Sequence, residues 1–173
     1  MIIKQAKLNE YLAVRSFYHS LIDALPDHSY VKWKKDIYPA PDYLENTIRR
    51  GELYFGIEND SIIAAVVLNH ACNESYKDFQ WTTEAKPDEI MVIHALGVHP
   101  LQSGKGYAKE MVKFAIEKAR TEHQKAIRLD VFKGNIPAKK LYAGLGFRYM
   151  HTLQMFYEDT GWTDFELYEY KIL

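Results

Sequence analysis

The short segment Ser103-Gly104-Lys105-Gly106 carries the clearest chemical signal in the sequence. Glycine lets the backbone approach a ligand closely and turn several N–H groups toward it. A helix starting directly after the loop adds the positive end of its dipole, so a phosphate binds there without many basic side chains. The alternative is a tight strand-to-helix turn that binds nothing, and two glycines alone favour that alternative.

Two nucleotide-binding motifs are excluded at this loop. A P-loop requires Ser or Thr directly after the lysine, where Gly106 stands. A dinucleotide fingerprint requires a third glycine three residues after the second, and Lys109 occupies that position. A nucleotide-binding regulatory protein is therefore a weak candidate.

The spacing of apolar residues predicts the elements that position the loop. Residues 89–98 form a dense apolar run that indicates a central strand, and residues 107–122 show the one-sided pattern of an amphipathic helix. A strand over 126–132 and a helix capped by Asn135 and ended near Gly146 follow. The remaining predicted elements are a strand over 2–6, a helix over 8–25 stopped by Pro26, a short helix from Asp42 to Gly51, a hairpin of 53–58 with 62–68, and strands over 147–157 and 165–172 joined by a turn at 159–162.

Composition limits the classes of protein that the chain can represent. It has 173 residues, 22 Lys and Arg against 23 Asp and Glu, and a formal net charge of −1. That balance argues against nucleic acid or an anionic membrane as the main partner. Cys72 is the only cysteine, so an internal disulfide and a cysteine-based zinc site are excluded. With no signal peptide or membrane span recognised in the sequence, we expect a cytoplasmic protein.

Five segments in a fixed order make the interpretation of the glycine loop more specific. They are Leu96-Gly97-Val98-His99-Pro100, Ser103-Gly104-Lys105-Gly106-Tyr107-Ala108, Ile127-Arg128-Leu129-Asp130-Val131, Asn135-Ile136-Pro137-Ala138-Lys139-Lys140-Leu141-Tyr142 and Leu145-Gly146-Phe147. This succession resembles the GNAT superfamily, the Gcn5-related N-acetyltransferases, across residues 89–147. The resemblance implies acetyl-CoA as the cofactor and transfer of its acyl group to an amine.

The resemblance also implies roles for individual residues. Asn135 matches a side chain that contacts the cofactor or the reacting amide, and Tyr142 matches the tyrosine that protonates the departing thiolate. Ser103 stands where the family often has Gln or Arg, and His94 where many members carry Glu. The residues matched to cofactor binding are Leu96, Gly97 and Val98 at the pantetheine, Ser103, Gly104, Lys105, Gly106, Tyr107 and Ala108 at the pyrophosphate, and Asn135, Ala138 and Tyr142 on the following helix.

An amine must lose a proton before it attacks a thioester, so the site needs a base. His94 is the first candidate, directly or through a water, because its ordinary pKa suits neutral pH. The alternative for His94 is a core histidine bonded to the backbone, and Glu89 or water are the other candidate bases. The seven histidines show no metal-binding spacing, and we expect no metal ion. The candidate walls of the acceptor site are aromatic: Trp33, Tyr38, Trp81 and Trp162, with Tyr30 and Phe79.

These observations predict one α+β domain over residues 1–173, with a GNAT-like, mostly antiparallel central sheet flanked by helices. Its predicted activity is direct transfer of an acetyl group from acetyl-CoA to a primary amine of a small molecule or peptide, with residues 89–147 binding the cofactor. The alternative is a non-catalytic acyl-CoA-binding sensor or interaction domain of the same fold. The sequence leaves the amine acceptor and the formation of a homodimer open.

Overall fold

The computed structural model describes residues 1–25 and 30–173, and seven strands and four α-helices lie within them. The α+β class is therefore confirmed. In chain order the elements are β1 (Ile2–Gln5), α1 (Tyr11–Asp23), α2 (Pro41–Arg49), β2 (Leu53–Glu58), β3 (Ser61–Asn69), β4 (Ile90–Val98), α3 (Tyr107–Thr121), β5 (Ala126–Phe132), α4 (Ile136–Gly144), β6 (Arg148–Tyr157) and β7 (Gly161–Lys171).

All seven strands join one sheet in the order β1-β2-β3-β4-β5-β7-β6. Every neighbouring pair is antiparallel except β4 and β5, so the predicted mostly antiparallel sheet is confirmed. The parallel contact covers only three residue pairs, which end at Val92 and Arg128. Beyond them β5 stays paired with β7 as far as Phe132, while β4 continues along β3 alone. The two strands therefore separate in the middle of the sheet.

Two hydrophobic cores cover the two faces of the sheet. Met111 and other residues of α3 pack with Ile127 and Leu129 of β5 on one face. On the other face α1 and α2 bury Tyr18 and Leu44 against β2 and β3. The helix α3 has 15 residues, and among the described helices none is long and apolar enough to cross a membrane.

Some predicted boundaries differ from the structure. The helix α2 begins at Pro41, whose fixed φ suits the first helical position, so Asp42 lies in the first turn and is not the cap. Gly51 after α2 adopts a left-handed φ of 71°, as predicted. The strand β7 begins at Gly161, four residues before the predicted start, which places Trp162 in a strand. The helix stop predicted at Pro26 lies outside the described residues.

The long segment between β3 and β4 is tied to the sheet by hydrogen bonds. Thr83 donates its backbone N–H to Glu169 Oε1 at 3.1 Å, and Arg128 Nε lies 3.0 Å from Glu169 Oε2. The Arg128 guanidinium also lies 4.3 Å from the centre of the Trp81 ring. Because Arg128 and Glu169 are almost fully buried, the segment acts as a cover over one face of β5 and β7.

Candidate active site

A cavity of about 220 Å³ opens where β4 and β5 separate. It is bounded by the second half of β4, the end of β5, the start of α4, the segment 30–38 and the turn between β6 and β7. The structure therefore brings together ten of the residues predicted for the site: Tyr30, Trp33, Tyr38, His94, Leu96, Gly97, Val98, Asn135, Ala138 and Tyr142.

A bulge in β4 shapes the cavity wall. Ala95 has a φ of 49°, and the pairing register between β3 and β4 shifts at the same level. The Tyr18 hydroxyl donates to the Ala95 carbonyl at 2.8 Å and holds the bulge from the α1 side. A bulge re-aims the side chains that follow it. Gly97 then faces α1, where an added Cβ would lie 2.7 Å from a methyl carbon of Leu21.

His94 stands directly before the bulge and faces the cavity. Its Nε2 lies 2.9 Å from the Ala71 carbonyl, so Nε2 carries the proton and donates, and Nδ1 is left as the acceptor. None of the described residues makes a hydrogen bond with Nδ1. Burial lowers the pKa of His94, although the nearby Asp130 carboxylate acts in the opposite direction. The imidazole is therefore neutral near pH 7, the form that accepts a proton.

Asp130 on β5 is a site residue that the sequence analysis missed as a functional group. Its Oδ2 accepts hydrogen bonds from the hydroxyls of Tyr76 at 2.8 Å and Tyr157 at 2.9 Å. No lysine or arginine in the described ranges lies within ion-pair distance of it, and burial raises the pKa of its carboxyl. Since buried carboxyls are normally paired with a cation, Asp130 is an unusual unpaired carboxyl that faces a cavity. The segment Ile127–Val131 alternates apolar and charged residues as an ordinary strand does, so no local sequence signal marks Asp130.

Tyr142 reaches the cavity from α4. Its ring packs edge-on against Phe147 with centroids 5.3 Å apart, and burial raises the pKa of the phenol, which therefore keeps its proton. No hydrogen bond joins its hydroxyl to any residue that the structure describes. At the start of the same helix the Asn135 side chain accepts the Ala138 backbone N–H at 3.1 Å, so the predicted cap is confirmed.

The glycine loop lies outside the cavity, at the N-terminus of α3. Gly104 and Gly106 have φ values of 80° and 85°, and an added Cβ at either would have no described atom within 4 Å. Within the described chain, the backbone N–H groups of residues 104–109 find no acceptor. Ser103 and Lys105 are exposed, whereas Tyr107 is buried and donates its hydroxyl to Glu58. The loop thus offers a cluster of free N–H donors in front of a helix.

Three candidates lie away from the cavity. Trp81 packs on Tyr76 and donates its indole N–H to that residue's carbonyl at 3.1 Å, so it supports the site from behind instead of lining it. Trp162 is 70% exposed and lines a neighbouring groove. Glu89 lies before β4 and pairs with Lys125 at 2.9 Å, far from the separated ends of the strands. Among residues 1–25 and 30–173 no three His, Cys, Asp or Glu side chains are grouped to hold a metal ion.

Comparisons with known proteins agree with this fold. A crystal structure of a putative acetyltransferase from Staphylococcus aureus Mu50 superposes with a TM-score of 0.71, is 22% identical and covers 100% of both chains. The structure of yncA, a putative acetyltransferase from Salmonella typhimurium with its cofactor acetyl-CoA, gives a TM-score of 0.68 at 17% identity, covering 100% of this chain and 94% of that one. N-alpha-acetyltransferase 30 from Saccharomyces cerevisiae is 36% identical over 69 residues.

The match to the yeast enzyme spans 40% of this chain and 39% of that protein. The sequence model of the Acetyltransferase (GNAT) family matches residues 14–147, from α1 to the end of α4 and the glycine turn after it. This range contains both separated strands, the glycine loop and Tyr142, and it makes up well over half of the chain. The chain therefore belongs to the Acetyltransferase (GNAT) family.

Proposed function

We propose that the protein transfers an acetyl group from acetyl-CoA to a primary amine by direct attack of the amine on the thioester. The observation that carries this proposal is the cleft between β4 and β5, which joins a free strand edge, a neutral imidazole and a protonated phenol in one cavity. Family membership and the acetyl-CoA complex of the Salmonella relative support the choice of cofactor.

The described residues suit acetyl-CoA in two places. From Ile93 onward the edge of β4 that faces β5 has no strand partner, so its backbone groups at Leu96–Val98 are available to the pantetheine amides. The free N–H groups of residues 104–109 and the dipole of α3 suit the pyrophosphate. When bound, acetyl-CoA supplies an activated acyl group at the cavity. The cofactor-binding segment that we propose is 89–147.

His94 is the proton acceptor in this proposal. An amine in water is protonated and must lose a proton before it acts as a nucleophile, and His94 Nδ1 is an unoccupied acceptor in the cavity. The Asp130 carboxylate stabilises the imidazolium that forms, because it adds a negative charge without a competing cation. A positioned base contributes roughly 10²–10⁴-fold to the rate.

Tyr142 is the proton donor. Its phenol stays protonated at neutral pH, and its hydroxyl has no competing partner among the described residues. A proton held at that oxygen can pass to the sulfur that leaves the acyl group. The proton acceptor thus lies on β4 and the proton donor on α4 of one cavity, an arrangement that suits direct attack of the amine on the thioester.

The lone Cys72 adds an expectation about location. A chain with a single cysteine cannot form an internal disulfide, so it gains no stability from an oxidising compartment. A reducing compartment keeps the exposed Cys72 thiol from being oxidised. We therefore place the protein in the cytoplasm as part of the proposal.

Titration calorimetry with acetyl-CoA, followed by a thiol-release assay across a panel of primary amines, tests the proposed function. We expect one acetyl-CoA per chain and turnover on at least one amine. Binding without turnover on any amine would support the non-catalytic sensor instead. No binding at millimolar acetyl-CoA would reject both the transferase and the sensor.

A further inference from the structure

A groove on the α1 side of the sheet leads into the cavity. We call it the lysine groove; it is bounded by the end of α1, residues 32–35 and the turn between β6 and β7. Five residues line both the groove and the cavity: Lys32, Trp33, Phe132, Asp159 and Thr160. The groove and the cavity are therefore continuous.

The groove carries positive charge although the whole chain has a net charge of −1. Lys35 is neutralised by Asp23, with Nζ 2.5 Å from a carboxylate oxygen. In the described part of the chain, Lys32 and Lys34 have no carboxylate within ion-pair distance. Asp159 is only 8% exposed, and burial raises the pKa of its carboxyl while the nearby Lys34 acts in the opposite direction. Even with Asp159 ionised, three lysines face two carboxylates in the groove, so its net charge stays positive.

The positive groove and the negative floor of the cavity lie close together. Lys32 Nζ lies 5.2 Å from the centre of the Phe132 ring. Phe132 follows Asp130 by two residues on β5, so both side chains point to the same side of the strand, about 7 Å apart along it. The cation at Lys32 is therefore within about 12 Å of the carboxyl at Asp130, or roughly one to three residue lengths.

The lysine groove and the glycine loop lie on opposite faces of the sheet. The helix α1 and Trp33 belong to the core on one face, and α3 belongs to the core on the other face. A cofactor anchored at the N-terminus of α3 thus approaches the cavity from the α3 face. His94 and Asp130 project toward the α1 face, because their neighbours Ile93 and Leu129 pack in the core beneath α3.

We propose that the acceptor is an amine that carries a carboxylate one to three residue lengths away, with its ammonium at Asp130 and His94 and its carboxylate at Lys32 and Lys34. The inference rests on the acetyl transfer proposed above. The Asp130 carboxylate and the two lysines orient such a molecule. They disfavour an amine that carries a second cation where the carboxylate would lie. A free acidic amino acid and the N-terminus of an acidic peptide present this same chemistry.

Matched acceptors test the inference in the wild-type chain with saturating acetyl-CoA. The set comprises hexapeptides that differ only at residues 2 and 3, as Glu-Glu, Gln-Gln or Lys-Lys, together with free glutamate and free glutamine. We expect kcat/KM to fall about 3- to 10-fold from Glu to Gln and further to Lys, in the range of two exposed ion pairs. A higher kcat/KM for the Glu-Glu peptide than for free glutamate would identify an acidic peptide as the acceptor, and the reverse order would identify a free acidic amino acid.

The double variant Lys32→Gln/Lys34→Gln should lose the preference for acidic acceptors, so that its kcat/KM values for the Glu-Glu and Gln-Gln peptides become equal. The matched control is Lys113→Gln/Lys171→Gln, which removes the same charge from exposed positions outside the groove. Retention of the acidic preference in the groove variant would overturn the inference. So would a loss of acetyl-CoA affinity in that variant, since the lysines would then serve the cofactor.

A binding measurement separates failure of this inference from failure of the proposed function. Fluorescence polarisation of the labelled peptides with the CoA-bound chain reports charge preference even if no amine is acetylated. Tighter binding of the Glu-Glu peptide that disappears in the groove variant supports the inference on its own. Equal binding of all three peptides overturns it, whatever the turnover assay shows.

Discussion

His94 on β4 and Asp130 on β5 occupy equivalent positions on the two sides of the gap in the sheet. The parallel pairs run from Ile90 with Ala126 to Val92 with Arg128, and the same register continued by two residues would pair His94 with Asp130. The strands have separated at that level, so the two side chains face a shared space instead of packing in the sheet. The separation of the strands thus converts a cross-strand pair into an acid and an imidazole that line one cavity.

The pairing of these residues predicts the pH dependence of transfer. Burial lowers the pKa of His94, so the acidic limb of kcat/KM should lie below the ordinary histidine value of about 6.5. Activity is lost as the pH falls through that pKa, because the imidazolium cannot accept a proton. Asp130→Asn removes the charge that raises this pKa and should move the limb to still lower pH.

Removing the imidazole of His94 should abolish the acidic limb of the kcat/KM profile. His94→Gln should lower kcat by about 10²–10⁴-fold. The exposed His151, which stacks on Phe79, provides the control variant His151→Gln with an unchanged profile. An acidic limb that stays in place in both His94→Gln and Asp130→Asn would show that another group accepts the proton.

Tyr142→Phe should separate proton donation from binding. The change keeps the ring packed on Phe147 and removes a hydroxyl that bonds to no described residue, so the free energy of unfolding should change by less than about 1.5 kcal/mol. We expect kcat to fall at least tenfold with acetyl-CoA affinity retained, because the hydroxyl acts when charge develops on sulfur. Tyr149→Phe, at an exposed tyrosine, is the control. Parental turnover, with chemistry rate-limiting, would assign the proton to another donor.

Gly106→Ala should weaken acetyl-CoA binding through the backbone. The left-handed φ of 85° costs an L-residue roughly 1–2 kcal/mol, and the methyl group would stand where a ligand approaches the N–H cluster. Gly161 has a similar φ of 66° and equally open surroundings, so Gly161→Ala imposes comparable strain at the β6–β7 turn. Calorimetry should show reduced affinity in the first variant alone. Equal affinities in the two variants would remove the loop from the cofactor site.

Glu169→Ala should destabilise the fold far more than loss of a surface ion pair. It leaves the buried Arg128 without its counter-ion and Thr83 without an acceptor, a loss of about 3–5 kcal/mol. Glu74→Ala, at the exposed pair with Lys77, should cost less than about 1 kcal/mol. Urea denaturation followed by circular dichroism measures both. Similar midpoints in the two variants would mean that the segment over β5 and β7 contributes little to stability.

The sequence predicted the parts of the fold in which local pattern and tertiary packing agree. The helix α3 was predicted within one residue and β5 at both ends, because their apolar spacing matches the faces they bury. The Asn135 cap was also predictable, since it requires only contacts within four residues. These local signals located the glycine loop and Tyr142 correctly with respect to the helices.

The rest of the site depends on contacts between distant segments. Asp130 became recognisable only when Tyr76 and Tyr157, from two other parts of the chain, were seen to bond to it. Trp81 was assigned to the acceptor site by residue type, whereas its stacking on Arg128 depends on how the segment before β4 crosses the sheet. Neither relationship leaves a periodic pattern in the sequence, so neither was accessible to it.

The three residue pairs that join β4 to β5 have a mechanical consequence. Four strands lie on one side of this seam and three on the other, so the sheet consists of two plates joined along a short hinge and by the core beneath α3. A ligand that fills the gap adds bonds to both plates and holds them at a fixed angle. Fluctuations of the empty protein should concentrate at the hinge, where amide exchange is expected to slow when the gap is filled. Occupancy of the cleft should therefore stiffen the sheet at this seam, and thermal stability should rise with that occupancy.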